Sequence, residues 1–143
     1  MSKRMTRDQA VARLLDGIDA DLQACGAIRD LLERQFEAAL RRRADELGAL
    51  AEHLTPQLDA MEQRRLQRVQ LVRALCGPQA TMDQLFDQLD ARRRAAATGA
   101  WRQLEQLVRD CQQATARNGQ LMADQYSIMQ RVLHGEEETY APR

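Results

Sequence analysis

The chain has 143 residues, of which 29% are charged and 3% aromatic, and its 21 basic residues cancel its 21 acidic ones. That length makes one domain, spanning 1–143, and the composition is that of long helices around a thin aliphatic seam rather than a sheet fold. Charge balance removes long-range steering toward nucleic acid or an anionic membrane surface, and the absence of an eighteen-residue apolar run excludes a membrane-embedded span.

Residues 1–5 read as a frayed start with no apolar segment of the kind a signal peptide needs. Thr6 or Asp8 caps a first helix. Its apolar stripe is Val11, Leu15, Ile18, Leu22, Cys25, Ile28, Leu32, Phe36 and Ala39 or Leu40. Asp16, Asp19 and Asp21 fall on or beside its flanks, and Arg41-Arg42-Arg43 suits an end near residue 43. Periodicity then runs on through Leu47, Leu50 and Leu54 with no Gly or Pro between 40 and 46. A turn is still required, because one helix past residue 60 leaves its seam uncovered. Two sites compete, the neighbourhood of Ala44-Asp45 and Thr55-Pro56; we favour 43–46, with a kink or local break at 55–56.

The second helix continues to Leu75-Cys76. Its stripe stumbles by five residues between Met61 and Leu66, then resumes through Val69 and Val72. Gly77-Pro78 stops it. Thr81 and Gln84 form a capping box for a short helix presenting Leu85, Phe86 and Leu89. Residues 91–98 lack an apolar stripe and read as a connection, with Thr98 capping the last helix.

That last helix organises the rest. Trp101, Leu104, Val108, Cys111, Met122, Met129 and Leu133 fall on one stripe, with Thr115, Asn118 and Gln125 or Tyr126 in register between them. From Trp101 to Leu133 it spans roughly 50 Å, so it needs long partners. Asn118 is polar where the seam should be apolar, and Gly119 costs about 1 kcal/mol relative to Ala. Two readings stay open. The pair is a register device with close backbone approach, or it marks a segment able to re-pack on a partner. The distal third, from about residue 119, is expected to be loosely covered. Gly135 closes the helix, and the composition of 136–143 predicts a disordered tail.

Enzyme chemistry finds no foothold. His53 and His134 lack acidic or thiol partners at site spacing, the glycines are scattered, and no Cys or His pair has zinc spacing. No cofactor or metal is expected. Cys25, Cys76 and Cys111 are far apart without a C-x-x-C pair, which fits a reducing cytoplasm and a role as small apolar seam residues. The Arg clusters at 41–43, 64–65 and 92–94 lack interleaved aromatics and read as solvated faces rather than a nucleic-acid surface.

Three stretches carry a family resemblance. Arg117-Asn118-Gly119-Gln120-Leu121-Met122 resembles the N-G-x-L-[ILM] signature of FlgN-like flagellar export chaperones. Asp45-Glu46-Leu47-Gly48-Ala49-Leu50, followed by Leu54-Thr55, is similar to the opening of that family's second helix, and Thr139-Tyr140-Ala141-Pro142-Arg143 to its terminal tyrosine element. The resemblance implies an all-α, antiparallel long-helix bundle of three long helices and one short one, with coiled-coil-like packing. It implies a cytoplasmic chaperone that holds the C-terminal helical ends of hook-associated (hook–filament junction) proteins and delivers them to the flagellar export gate.

On these residues the client surface would be Leu121, Met122, Tyr126, Met129, Val132 and Leu133, with Asn118 and Gly119 as the weak point beside it. Tyr140 would be the export-gate contact. The sequence departs from the family there, because the usual Gly downstream of the tyrosine is missing, and a free tail tyrosine is the alternative. The rival reading is a coiled-coil protein that self-associates, as a homodimer for example, and has no client.

Overall fold

In the computed structural model, which describes the backbone of residues 5–140 and the side chains of 5–135, Thr6 starts the first helix, α1 (Arg7–Leu40). Its hydroxyl accepts from the Gln9 N–H and the Gln9 side chain accepts from the Thr6 N–H, so the cap is Thr6 and not Asp8. The chain reverses over 41–43. Arg42 takes a left-handed φ of 56°, and the N–H groups of Arg42 and Arg43 close on the carbonyls of Ala39 and Ala38 at 3.1 and 3.0 Å. The turn thus lies just before the expected 43–46, built on an arginine where a glycine would have announced it.

The second helix, α2 (Ala44–Cys76), runs through Pro56 without ending. The break expected at 55–56 is absent: the helix tolerates one missing N–H on an exposed face, and Thr55 donates its hydroxyl proton to the Ala51 carbonyl at 3.0 Å. Gly77, at φ 105°, terminates α2 as expected. The short helix α3 (Met82–Asp87) carries the Thr81–Gln84 capping box and drives Leu85 and Phe86 into the end of the bundle, where Leu89 joins them.

The last helix, α4 (Ala91–Tyr140), is 50 residues long. It begins seven residues earlier than the expected cap at Thr98. Asp90 caps it, its carboxylate accepting from the Arg93 N–H at 2.9 Å and pairing with the Arg93 guanidinium at 2.8 Å. These two bonds hold the Asp90 carboxyl below the usual range, the backbone N–H contributing most. Arg94 donates to the carbonyls of Phe86, Asp87 and Leu89, closing the end of α3. Residues 91–98, read as a connection, are therefore the first two turns of α4 and dock α3. At the other end α4 passes through Gly135 instead of stopping there; residues 141–143, part of the predicted disordered tail, lie outside the described residues.

Consecutive long helices are antiparallel, so α1 and α4 run parallel. Cross-helix contacts keep one offset: Cys25 meets Cys111, Leu32 meets Asn118 and Ala39 meets Gln125. α1 is the central helix, packed on both α2 and α4, while the backbones of α2 and α4 do not approach each other. That explains why its buried face is wider than one stripe and also takes in Leu14, Leu31 and Ala38. One apolar cluster joins Val11, Leu14, Ile18 and Cys25 to Val72, α3 and the start of α4; a second joins Ile28, Leu31 and Leu32 to Leu50, Leu54 and Ala114.

Within the first cluster, between Ile18 and Cys25 on α1, sits Asp21, fully buried rather than on a flank. Its carboxylate accepts from the Arg64 Nε and pairs with Arg68 at 2.7 Å. The Arg68 guanidinium lies 5.3 Å from the Trp101 ring centroid, which extends the link to α4. The step of five in the α2 stripe is thereby explained: Arg64 and Arg68 take the seam positions to neutralise Asp21, and Leu66, read as a seam residue, is exposed.

Candidate functional site

The Arg117-Asn118-Gly119 motif divides α4 into a docked part and a free part. Asn118 has no exposed surface. Its amide donates to the Leu32 carbonyl and to Gln35 Oε1, both at 2.8 Å, and its Oδ1 accepts from the Arg117 guanidinium at 3.1 and 3.2 Å. Arg117 also pairs with Glu33 at 3.1 Å and stacks 4.0 Å from the Phe36 ring centroid. The Asn118 amide N–H groups thus fix α4 against α1 directly, and its Oδ1 holds Arg117, which pairs with Glu33 of α1. Asn118, expected among the client-contacting residues, is buried between α1 and α4, where it holds register.

Gly119 plays a different part from the one its place beside Asn118 suggests. It is exposed, and a Cβ built on it would meet nothing within 4 Å. Close backbone approach is therefore not what requires glycine here.

Beyond Asn118, Leu121 and Met122 are half-buried, and Gln125 makes the last described hydrogen bond to α1, donating to the Ala39 carbonyl at 2.9 Å. α1 ends one residue later at Leu40, which is itself 49% exposed. From Tyr126 to Leu133 the large apolar side chains of α4 are exposed. Tyr126, Met129, Val132 and Leu133 are 67%, 52%, 53% and 48% exposed. The four are exposed on one stretch of α4, and the exposed part starts at 126 rather than near the expected 119. Ile128, absent from the expected stripe, is 46% exposed and lies beside Met129 on the same face. Ile128, Met129 and Val132 prolong the row that Ala114, Asn118, Leu121 and Gln125 turn toward α1, at the same three-and-four spacing. The side chain of Tyr140 lies outside the described residues.

A second apolar feature lies on the bundle itself. A trough of about 420 Å³ opens between α2 and α4, floored by Cys25, Ile28 and Leu32 of α1 and walled by Leu54, Leu58 and Met61 on one side and Val108, Cys111 and Thr115 on the other. Leu58 is half-exposed on its rim.

Among the described residues no group of three or more His, Cys, Asp or Glu comes together as a metal site would require, and no helix is long and apolar enough to cross a membrane. Fold and surface together define an all-α bundle that offers a helix face, not a pocket of reactive groups. The family model described as FlgN protein matches residues 5–135, nearly the whole chain, and the chain belongs to that family of flagellar export chaperones, a chaperone family rather than an enzyme family, which binds hook-associated proteins. No curated protein and no solved structure matches it.

Proposed function

We propose that the free end of α4 receives the C-terminal amphipathic helix of a hook-associated protein, shields it from premature assembly and carries it to the export gate. The observation that supports this most is the continuation of the seam past the end of α1. Ile128, Met129 and Val132 stand where residues of a longer α1 would cover them, with Tyr126 and Leu133 on the flank. A client helix laid along that line takes the place of the missing turns of α1, end to end with Leu40. Each half-exposed aliphatic side chain it covers contributes about 1 kcal/mol, and adaptable Met129 suits more than one client sequence.

Tyr140, the last residue of α4, is the candidate gate contact in this reading. Its position at the tip separates it from the client stripe by about two turns of helix. Replacing Tyr140 with Ala should weaken gate binding and leave client affinity unchanged.

The direct test titrates full-length protein with C-terminal peptides of hook-associated proteins, beside Met129→Asp/Val132→Asp. Two carboxylates on the free face should weaken binding by 100-fold or more without altering helicity. Unchanged affinity would move the client to another surface, the α2–α4 trough first. Absence of any binding, together with concentration-dependent association lost in the double variant, would favour a second copy of the chain as the occupant.

A further inference from the structure

We infer that Cys25 and Cys111 form a dithiol site that a peroxide can close into a cross-helix disulfide, tying α1 to α4 at the middle of the bundle. The two sulfurs are 3.9 Å apart, on residues that face each other across parallel helices at the same offset that pairs Leu32 with Asn118. A disulfide needs about 2.05 Å, so each sulfur must move about 1 Å, within the reach of small side-chain rotations. Both thiols line the trough between α2 and α4, which gives a small oxidant a route from solvent. The division of roles follows from burial. Cys111 is partly buried, the more accessible of the two, and meets the oxidant; Cys25 is 2% exposed, behind it, and resolves.

The chemistry balances with hydrogen peroxide as oxidant. The Cys111 thiolate attacks one peroxide oxygen, the O–O bond breaks, and the departing hydroxide takes a proton to become water. The Cys25 thiolate then attacks the Cys111 sulfenic sulfur, the S–O bond breaks, and the second hydroxide leaves as water. Two thiols lose two electrons and one peroxide becomes two waters.

The surroundings make this a slow site. Burial first, and then Cys111 and Asp21, push the Cys25 thiol up to about 12, with Arg29 opposing; burial also raises Cys111, against Cys25 and Arg29. Asp110 is the acidic group facing from α4, and α2 presents only Leu54, Leu58 and Met61 to the trough. Oxidation should therefore quicken by about tenfold per pH unit through the neutral range, as the thiolate fraction rises. Cys76 lies 15 residues along α2 from Met61, about 22 Å away, and cannot substitute for either partner.

The test treats full-length Cys76→Ser protein with hydrogen peroxide, alkylates the product and maps its peptides. The expected result is a monomer lighter by two hydrogens, with Cys25 and Cys111 peptides linked and slower amide exchange across 104–118. The client stripe lies some 25 Å further along α4, so helix binding there should persist in the oxidised form. Sulfinic acid at Cys111 with no linked peptide, or linkage only between two molecules, would overturn the proposal. Wild-type protein mapped in the same way guards against an effect of the substitution, since the Cys25–Cys111 linkage must appear there too.

Discussion

Between Ala97 and Gln125, α4 sets Ala97, Leu104, Cys111, Asn118 and Gln125 against α1 at steps of seven. Between Ile128 and Leu133 the same helix keeps the same spacing and loses its cover. The difference does not come from α4. It comes from α1, which stops after 34 residues at the Arg42 turn while α4 goes on for 50. A repeat of apolar residues specifies a face, and the length of the neighbouring helix decides whether that face becomes core or binding surface. In this chain one continuous helix does both, so the client stripe inherits its orientation from the docked part behind it.

The comparison is sharpened first by substitutions on the docked side. Leu104, 3% exposed in the apolar cluster with Ile18, should cost about 3 kcal/mol in urea unfolding when replaced by Ala. Asn118→Ala should cost about 2 kcal/mol, because it removes both hydrogen bonds to α1 and one acceptor of Arg117. A cost below about 0.5 kcal/mol would make the polar knot incidental to docking, within the range of ordinary surface changes.

Much of this fold is legible in the sequence, because its signals are local. The capping threonines, the Gly77 stop and the single stripe of α4 each depend on residues within one or two turns. What escapes the sequence depends on contacts made only after the helices meet. Asp21 reads as a flank residue because charge is presumed to face water, yet Arg64 and Arg68 arrive from α2 to neutralise it. The turn at 41–43 hides because Arg42 adopts a conformation usually left to glycine or asparagine. The first turns of α4 look featureless because Ala97, not a large residue, is what α1 accepts there. Ile128 falls outside a stripe one residue wide, because the exposed face here is two residues wide, Ile128 beside Met129.

Gly119 sits close to the border between the two regions, and replacing it tests whether that border is a hinge. A methyl group there meets nothing within 4 Å and helix propensity favours Ala, so Gly119→Ala should raise unfolding free energy by about 1 kcal/mol. Unchanged client affinity in that variant would show that the free end works as a rigid extension of α4. A drop in affinity with raised stability would show that bending at Gly119 belongs to binding.

The smallest effect is expected on the free side. Met129→Ala/Val132→Ala removes two side chains that are already about half exposed and that no other helix covers. Little packing is lost, and Ala is the better helix former at both positions. The double variant should therefore unfold within about 0.5 kcal/mol of the parent, against the several-fold larger cost of truncating Leu104 alone. The concentration dependence of this measurement carries as much as its size. A loss of 2 kcal/mol or more that grows with protein concentration would mean that a second copy covers the stripe in solution, since mass action ties dimer stability to concentration. A loss of the same size at every concentration would mean that α4 folds back on its own bundle, and the trough lined by Leu54, Leu58 and Met61 is the apolar surface that would receive it.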